Sequence, residues 1–204
     1  MKNWQKALAI AMGWAALMAV AVLLDVPLSR WAHASGLSEA LKTHWSWAAR
    51  TMRVFGNFLT YTAPAAVLLF VLRRRRDAVF VALAGVFSGL NSPIKWLVGR
   101  HRPYHGFGVF EFHPCQGPVE GLMGMTSGLS FPSGDVALAA ATSTALAILF
   151  PRWRWAAISV VLLVAAERIA EGAHYPSDTV GGALLGWAVA LAARRIVAAL
   201  GEKT

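Results

Sequence analysis

Apolar and polar positions along this chain fall into long blocks rather than short alternations. Six stretches, 7–27, 54–72, 77–97, 133–151, 155–171 and 178–195, carry charge only near their ends. A helix needs about 20 residues to cross roughly 30 Å of hydrocarbon, and each block meets or approaches that length. The pattern predicts an all-α, polytopic membrane protein with six transmembrane helices. Between the first two blocks, Leu37, Leu41, Trp45, Ala48 and Met52 recur at steps of three and four, which gives one apolar helix face. Trp31, Trp45 and Trp47, with Arg30, Lys42 and Arg50 nearby, suit the headgroup layer, so a helix lying along the outer surface is predicted there. The opening MKNWQKALAIAMGWAALMAVAVLLDV is similar to a signal peptide, with lysines before an apolar run. That run extends about 20 residues without a small-x-small cleavage site, so it is read as a retained first span.

Composition agrees with this picture. The chain is 57% hydrophobic and 14% charged, with a mean hydropathy of +0.52, more apolar surface than a soluble core could hide. The net charge of +9 would suggest nucleic acid in a soluble protein, but here the basic residues flank apolar runs. Lys2, Lys6, Arg73 to Arg76, Arg152, Arg154, Arg194, Arg195 and Lys203, eleven in all, fall on one side of the predicted membrane. The other eight cations, Arg30, Lys42, Arg50, Arg53, Lys95, Arg100, Arg102 and Arg168, fall on the opposite side. The positive-inside rule puts the larger group, and both termini, in the cytoplasm and accounts for the charge without nucleic acid. Cys115 is the only cysteine, so no intramolecular disulfide can form, and the topology places it in an extracytoplasmic loop. No repeat or boundary divides the chain, and 1–204 is read as one domain. The oligomeric state leaves no mark in the sequence.

Ionisable groups are costly in lipid and mark candidate sites. Three clusters of them share the outer face: 95–103, 131–135 and 167–178. Lys95, Arg102 and Arg168 offer three cations, two of them guanidinium forks matched to phosphate oxygens. Pro132-Ser133-Gly134 opens a helix whose free N–H groups and positive dipole end make an anion cradle. Tyr175-Pro176-Ser177-Asp178 opens another beside it. His174 can serve as a covalent nucleophile, and Asp178, four residues on, can hold its other ring N–H. His101, His105 and His113 in the 100–131 loop match no common metal-ligand spacing; that loop is read as a lid or entrance wall. Asp25 is read as a boundary charge, Asn91 as an interhelical hydrogen-bonder beside a Pro93 kink, and Glu167 and Glu171 as electrostatic partners of Arg168. Gly182 and Gly186 form a small-xxx-small pair for close helix packing.

At these clusters the sequence resembles the phosphatidic acid phosphatase type 2 superfamily. Lysine, six residues, then Arg-Pro is matched by Lys95 to Arg102-Pro103; Pro-Ser-Gly-His by Pro132-Ser133-Gly134-Asp135; Ser-Arg, five residues, His, three residues, Asp by Glu167-Arg168, His174 and Asp178. The resemblance implies a bacterial inner-membrane lipid phosphatase with its site facing the periplasm or cell exterior, and no metal or organic cofactor. It implies phosphate binding by Lys95, Arg102, Arg168, Ser133 and Gly134, attack by His174, and orientation by Asp178.

Two positions depart from that pattern. Glu167 stands for a serine, and Asp135 for the histidine that in relatives protonates the leaving oxygen. A carboxyl is ordinarily ionised at neutral pH and has no proton to give. Three explanations remain open: a protonated Asp135, a substitute loop histidine (His101, His105 or His113), or a leaving group needing little help. The last favours an isoprenyl diphosphate such as undecaprenyl diphosphate; phosphatidic acid, phosphatidylglycerol phosphate and lipid A stay as candidates. A phosphotransferase using the same nucleophile and a non-catalytic lipid-binding relative are the competing functions.

Overall fold

A computed structural model of the chain describes residues 2–47, 51, 54, 56–105, 113–115 and 128–201. Helices stand in all six apolar blocks. The first, α1 (Asn3–Ala34), is longer than its apolar block and contains Pro27. The short α2 (Leu37–Thr43) follows from the left-handed Gly36. Helix α3 (Leu59–Ala66) runs into a π-helical turn, Val67–Val71. Helix α4 (Arg75–Phe87) continues through a 3-10 turn, Ser88–Leu90, into α5 (Asn91–Val98). Pro93 has no N–H to bond Gly89, and the ladder is tightened into the 3-10 turn at that point. Then come α6 (Gly134–Leu149), α7 (Arg154–Ala170) and α8 (Pro176–Gly201).

Three of these stretches, α1, Arg75–Val98 and Pro176–Leu200, are long and apolar enough to cross a membrane. Large apolar side chains point outward along them and their neighbours: Met12, Leu23, Phe70, Val71, Leu162 and Leu200 are all mostly exposed. A water-soluble protein hides such groups, so their place on the outside is the mark of a protein solvated by lipid. The surface helix expected after the first span is described only in part. Helix α2 covers its first turns, and Trp45 and Trp47 are exposed, while Ala48, Arg50 and Met52 lie outside the described residues.

The interior is built on α6, which packs on α8 and α7. Its inward positions are small: Ala137, Ala139, Ala140, Ala141 and Ala145 are buried. A Cβ added at Gly182 would lie 2.5 Å from the Ser133 carbonyl oxygen, and one at Gly186 would strike the Ala137 carbonyl. The expected small-xxx-small pair therefore brings the α8 backbone against the first turns of α6. Because those are the site-bearing ends of both helices, this close approach fixes the site's geometry.

Candidate active site

The site begins with the local chemistry of the α8 start. Tyr175 precedes the helix, Pro176 occupies its first position, where no N–H is needed, and Asp178 is the third residue. The Tyr175 N–H donates to Asp178 Oδ2 at 2.8 Å, the acidic half of a capping box. His174 is set one residue earlier by the tight turn leaving α7, where the N–H groups of Ala173 and His174 both donate to the Arg168 carbonyl. His174 Nδ1 consequently lies 3.5 Å from Asp178 Oδ2. That is longer than a hydrogen bond, and Nδ1 is buried with no closer partner among the described residues. Contacts of this kind are often long before substrate binds.

The other clusters converge on the same place. The Ser133 N–H donates to the Asp178 carbonyl at 2.9 Å, so the α6 and α8 starts are joined directly. The first N–H groups of α6 have no carbonyl one turn back, and Ser133 Oγ is buried without a partner among the described residues. Lys95 Nζ and Arg102 Nε each donate to the Leu129 carbonyl at 3.3 Å, which brings the two cations within two hydrogen-bond lengths of each other. Both act electrostatically on His174. Burial lowers the His174 imidazole below its ordinary 6.5, the Asp178 carboxylate opposes this, and Lys95 and Arg102 add to the lowering. The ring is thus held neutral, with a nitrogen lone pair available.

Arg168 is differently placed. Its Nε and Nη2 form a fork on the Glu167 carboxylate at 2.6 and 2.7 Å, Nη2 also donates to Glu171, and Nη1 reaches Asp135 Oδ2 at 3.1 Å. The expected balancing role of Glu167 and Glu171 is therefore observed, and Asp135 is a third acidic partner. A phosphate oxygen at this guanidinium would share it with, or displace, Asp135, the most exposed of the three carboxylates. The α6 and α8 starts are thus bonded to each other, Arg168 joins the α6 start through Asp135, and Lys95 and Arg102 meet at the Leu129 carbonyl. In the 100–131 loop, the His101 and His113 rings lie with centres 5.6 Å apart, tilted by 47°; the residues 106–112 and 116–127 lie outside those described.

Two expectations need correction. Asp25 is no solvated boundary charge: it is buried, pairs with Arg100 Nη2 at 2.8 Å, and accepts from Ser177 N–H and Oγ at 2.8 and 2.6 Å. Arg100 Nη1 in turn donates to Asp178 Oδ1 at 2.8 Å. The signal was on α1 itself, where the buried positions Ala21, Asp25, Ser29 and Ala32 repeat at helical spacing and are small or polar amid large apolar neighbours. Asn91 was expected to bond another helix. Its Nδ2 instead donates to Ser88 in its own preceding turn, and its side chain packs against Gly134.

A protein-family model described as the PAP2 superfamily matches residues 76–202, which include all eight site residues expected from the sequence but not Asp25. Among curated proteins, a lipid A 1-phosphatase from Rhizobium etli is 37% identical over 59% of this chain and 53% of its own length. This chain thus spans about half of that relative. A decaprenylphosphoryl-5-phosphoribose phosphatase from Mycobacterium tuberculosis is 37% identical over 68% of this chain and 72% of its own. Phosphatidylglycerophosphatase B from Escherichia coli is 27% identical over 83% of each chain. A solved transmembrane PAP2-type phosphatidylglycerolphosphate phosphatase from Bacillus subtilis aligns with 22% identity over 96% of this chain and 87% of its own, at a TM-score of 0.44. On the family match, which spans the whole stretch from Lys95 to Asp178, this chain belongs to the PAP2 superfamily.

Proposed function

We propose that the protein is a membrane lipid phosphatase that works through a phosphohistidine on His174 and needs no metal. The observation that carries this reading is the buried His174 ring, 3.5 Å from the Asp178 carboxylate and within the electrostatic influence of Lys95 and Arg102. Asp178 holds the proton on Nδ1, leaving Nε2 to attack phosphorus. The bond from phosphorus to the lipid oxygen breaks as the bond to Nε2 forms. Lys95, Arg102 and the first-turn N–H groups of α6 stabilise the charge that builds on the phosphoryl oxygens. Water then attacks the phosphohistidine, releasing inorganic phosphate and restoring the imidazole.

The substrate class follows from the Asp135 position. In place of a proton donor it presents a carboxylate ion-paired to Arg168. General acid help is typically worth about 10² to 10⁴ in rate, so a substrate that does without it is favoured. A departing lipid monophosphate titrates near pH 6, as phosphoserine's second step does, whereas an alkoxide must be protonated. An isoprenyl diphosphate of the undecaprenyl kind fits this requirement best. The relatives named for lipid A, decaprenylphosphoryl-5-phosphoribose and phosphatidylglycerophosphate supply the other substrates for comparison.

The reading includes one domain of six membrane-crossing helices, both termini in the cytoplasm of a bacterial cell, and the site on the extracytoplasmic face of the inner membrane. The charge distribution and the outward-facing apolar side chains support it. Phosphate release measured across undecaprenyl diphosphate, phosphatidic acid, phosphatidylglycerol phosphate and lipid A tests the substrate class. The diphosphate should turn over fastest; faster turnover of phosphatidic acid contradicts the leaving-group argument. Asp135→His should keep or raise monoester turnover, and a complete loss would give the carboxylate a role of its own.

A further inference from the structure

A buried charge network is joined to Asp178 through its Oδ1. Arg100 is almost fully buried, and its guanidinium sits over the Tyr175 ring, 3.9 Å from the ring centre. Its Nη1 donates to Asp178 Oδ1 at 2.8 Å and to Ser177 Oγ at 2.7 Å, and its Nη2 donates to Asp25 Oδ2 at 2.8 Å. Asp178 is therefore held at both oxygens, by Arg100 at Oδ1 and by the Tyr175 N–H at Oδ2. With those two bonds made, the carboxylate plane is fixed and Oδ2 is the oxygen turned toward His174.

Asp25 adds two things. It comes from the other end of the chain, 22 residues into α1, and bonds the Ser177 N–H, one of the α8 first-turn groups that the helix itself cannot satisfy. Its charge also matters. Arg100 facing Asp178 alone would cancel the carboxylate that His174 needs; with Asp25 present, one cation is shared by two anions and the group stays negative. Asp25 lies outside the residues 76–202 matched by the family model, so α1 contributes a residue that this stretch does not contain.

We infer that Arg100 and Asp25 are positioning residues for the reaction: Arg100 sets the Asp178 carboxylate against His174, and Asp25 anchors Arg100 while keeping the group's charge negative. The inference rests on the reading of His174 as nucleophile. A double-mutant cycle in the full-length protein, purified in detergent, tests it against a role in folding alone. Arg100→Lys should lower kcat by about 100-fold, the cost of a slightly misplaced catalytic group, with KM little changed. In an Asp178→Asn background the same change should have no further effect, within about 2-fold. If the two losses multiply instead, or if Arg100→Lys keeps kcat and only lowers the melting temperature, Arg100 is structural and the inference is overturned. Asp25→Asn, run through the same cycle, decides the matter should Arg100→Lys fail to accumulate. A His174→Ala protein that keeps its turnover overturns the phosphohistidine reading itself, an outcome separate from either result of the cycle.

Discussion

At the scale of single residues, one buried histidine lies under the influence of a carboxylate and two cations. His174 combines burial, which lowers its pKa, with a carboxylate that opposes the shift and two cations that reinforce it. The sign is definite. The folded state favours the neutral ring, so the stability this residue contributes is present above its unfolded value of 6.5 and lost as pH falls through the lower folded value. On the proposed mechanism, a protonated His174 cannot attack, so activity should fall over that same lower range. Removing a nearby cation should raise the His174 pKa, so Arg102→Gln should move the acid limb of kcat/KM to higher pH. Comparing the variant with wild type on one substrate cancels the titration of the substrate phosphate; an unmoved limb would separate Arg102 from His174. The buried Asp25–Arg100–Asp178 group has a different signature. Removing one member of such a group typically costs about 3–5 kcal/mol, because a charge is left buried without its partner.

At the scale of elements, the site exists because two helix starts are pressed together. The α8 backbone at Gly182 and Gly186 has no room for side chains against Ser133 and Ala137. Gly182→Leu should therefore destabilise the protein by about 1–3 kcal/mol or more, seen as a lower unfolding midpoint in detergent. Gly13→Leu on α1, where a Cβ meets nothing within 4 Å, should leave the midpoint unchanged or raise it. Equal effects at the two positions would show that α6 and α8 do not meet as described. This pairing was legible in the sequence, since the spacing of two glycines in an apolar helix carries its own packing logic. The Asp25–Arg100 link was not. Asp25 stands at its block's boundary, where a charge usually faces headgroups, Arg100 reads only as one of the outer-face cations, and nothing in the local pattern says that residues 75 apart pair. The spacing of Ala21, Asp25, Ser29 and Ala32 would have identified the buried face of α1, though not its partner.

At the scale of the whole molecule, the six apolar blocks and the three charged clusters were readable because lipid enforces both. Hydrocarbon demands long uninterrupted apolar helices, and it penalises any ionisable group without a function or a partner. What the blocks could not give was helix continuation past the apolar limits, as in α1 beyond residue 27, or the π-helical end of α3. Those depend on packing and capping rather than on hydropathy. The proposed orientation has a direct check through the sole cysteine. Cys115 is exposed and should react with a membrane-impermeant maleimide in intact spheroplasts. A cysteine introduced as Arg152→Cys in a Cys115→Ser background should react only after lysis. The reverse pattern would invert the topology and move the site to the cytoplasmic face.

The central claim is that His174 carries the phosphoryl group. Rapid acid-free quenching during turnover of a lipid diphosphate, followed by peptide mass spectrometry, tests it most directly. The account predicts an acid-labile, base-stable phosphate on His174 that is absent, together with all turnover, in His174→Ala. Turnover persisting in that variant, or phosphate found on another side chain, would contradict it.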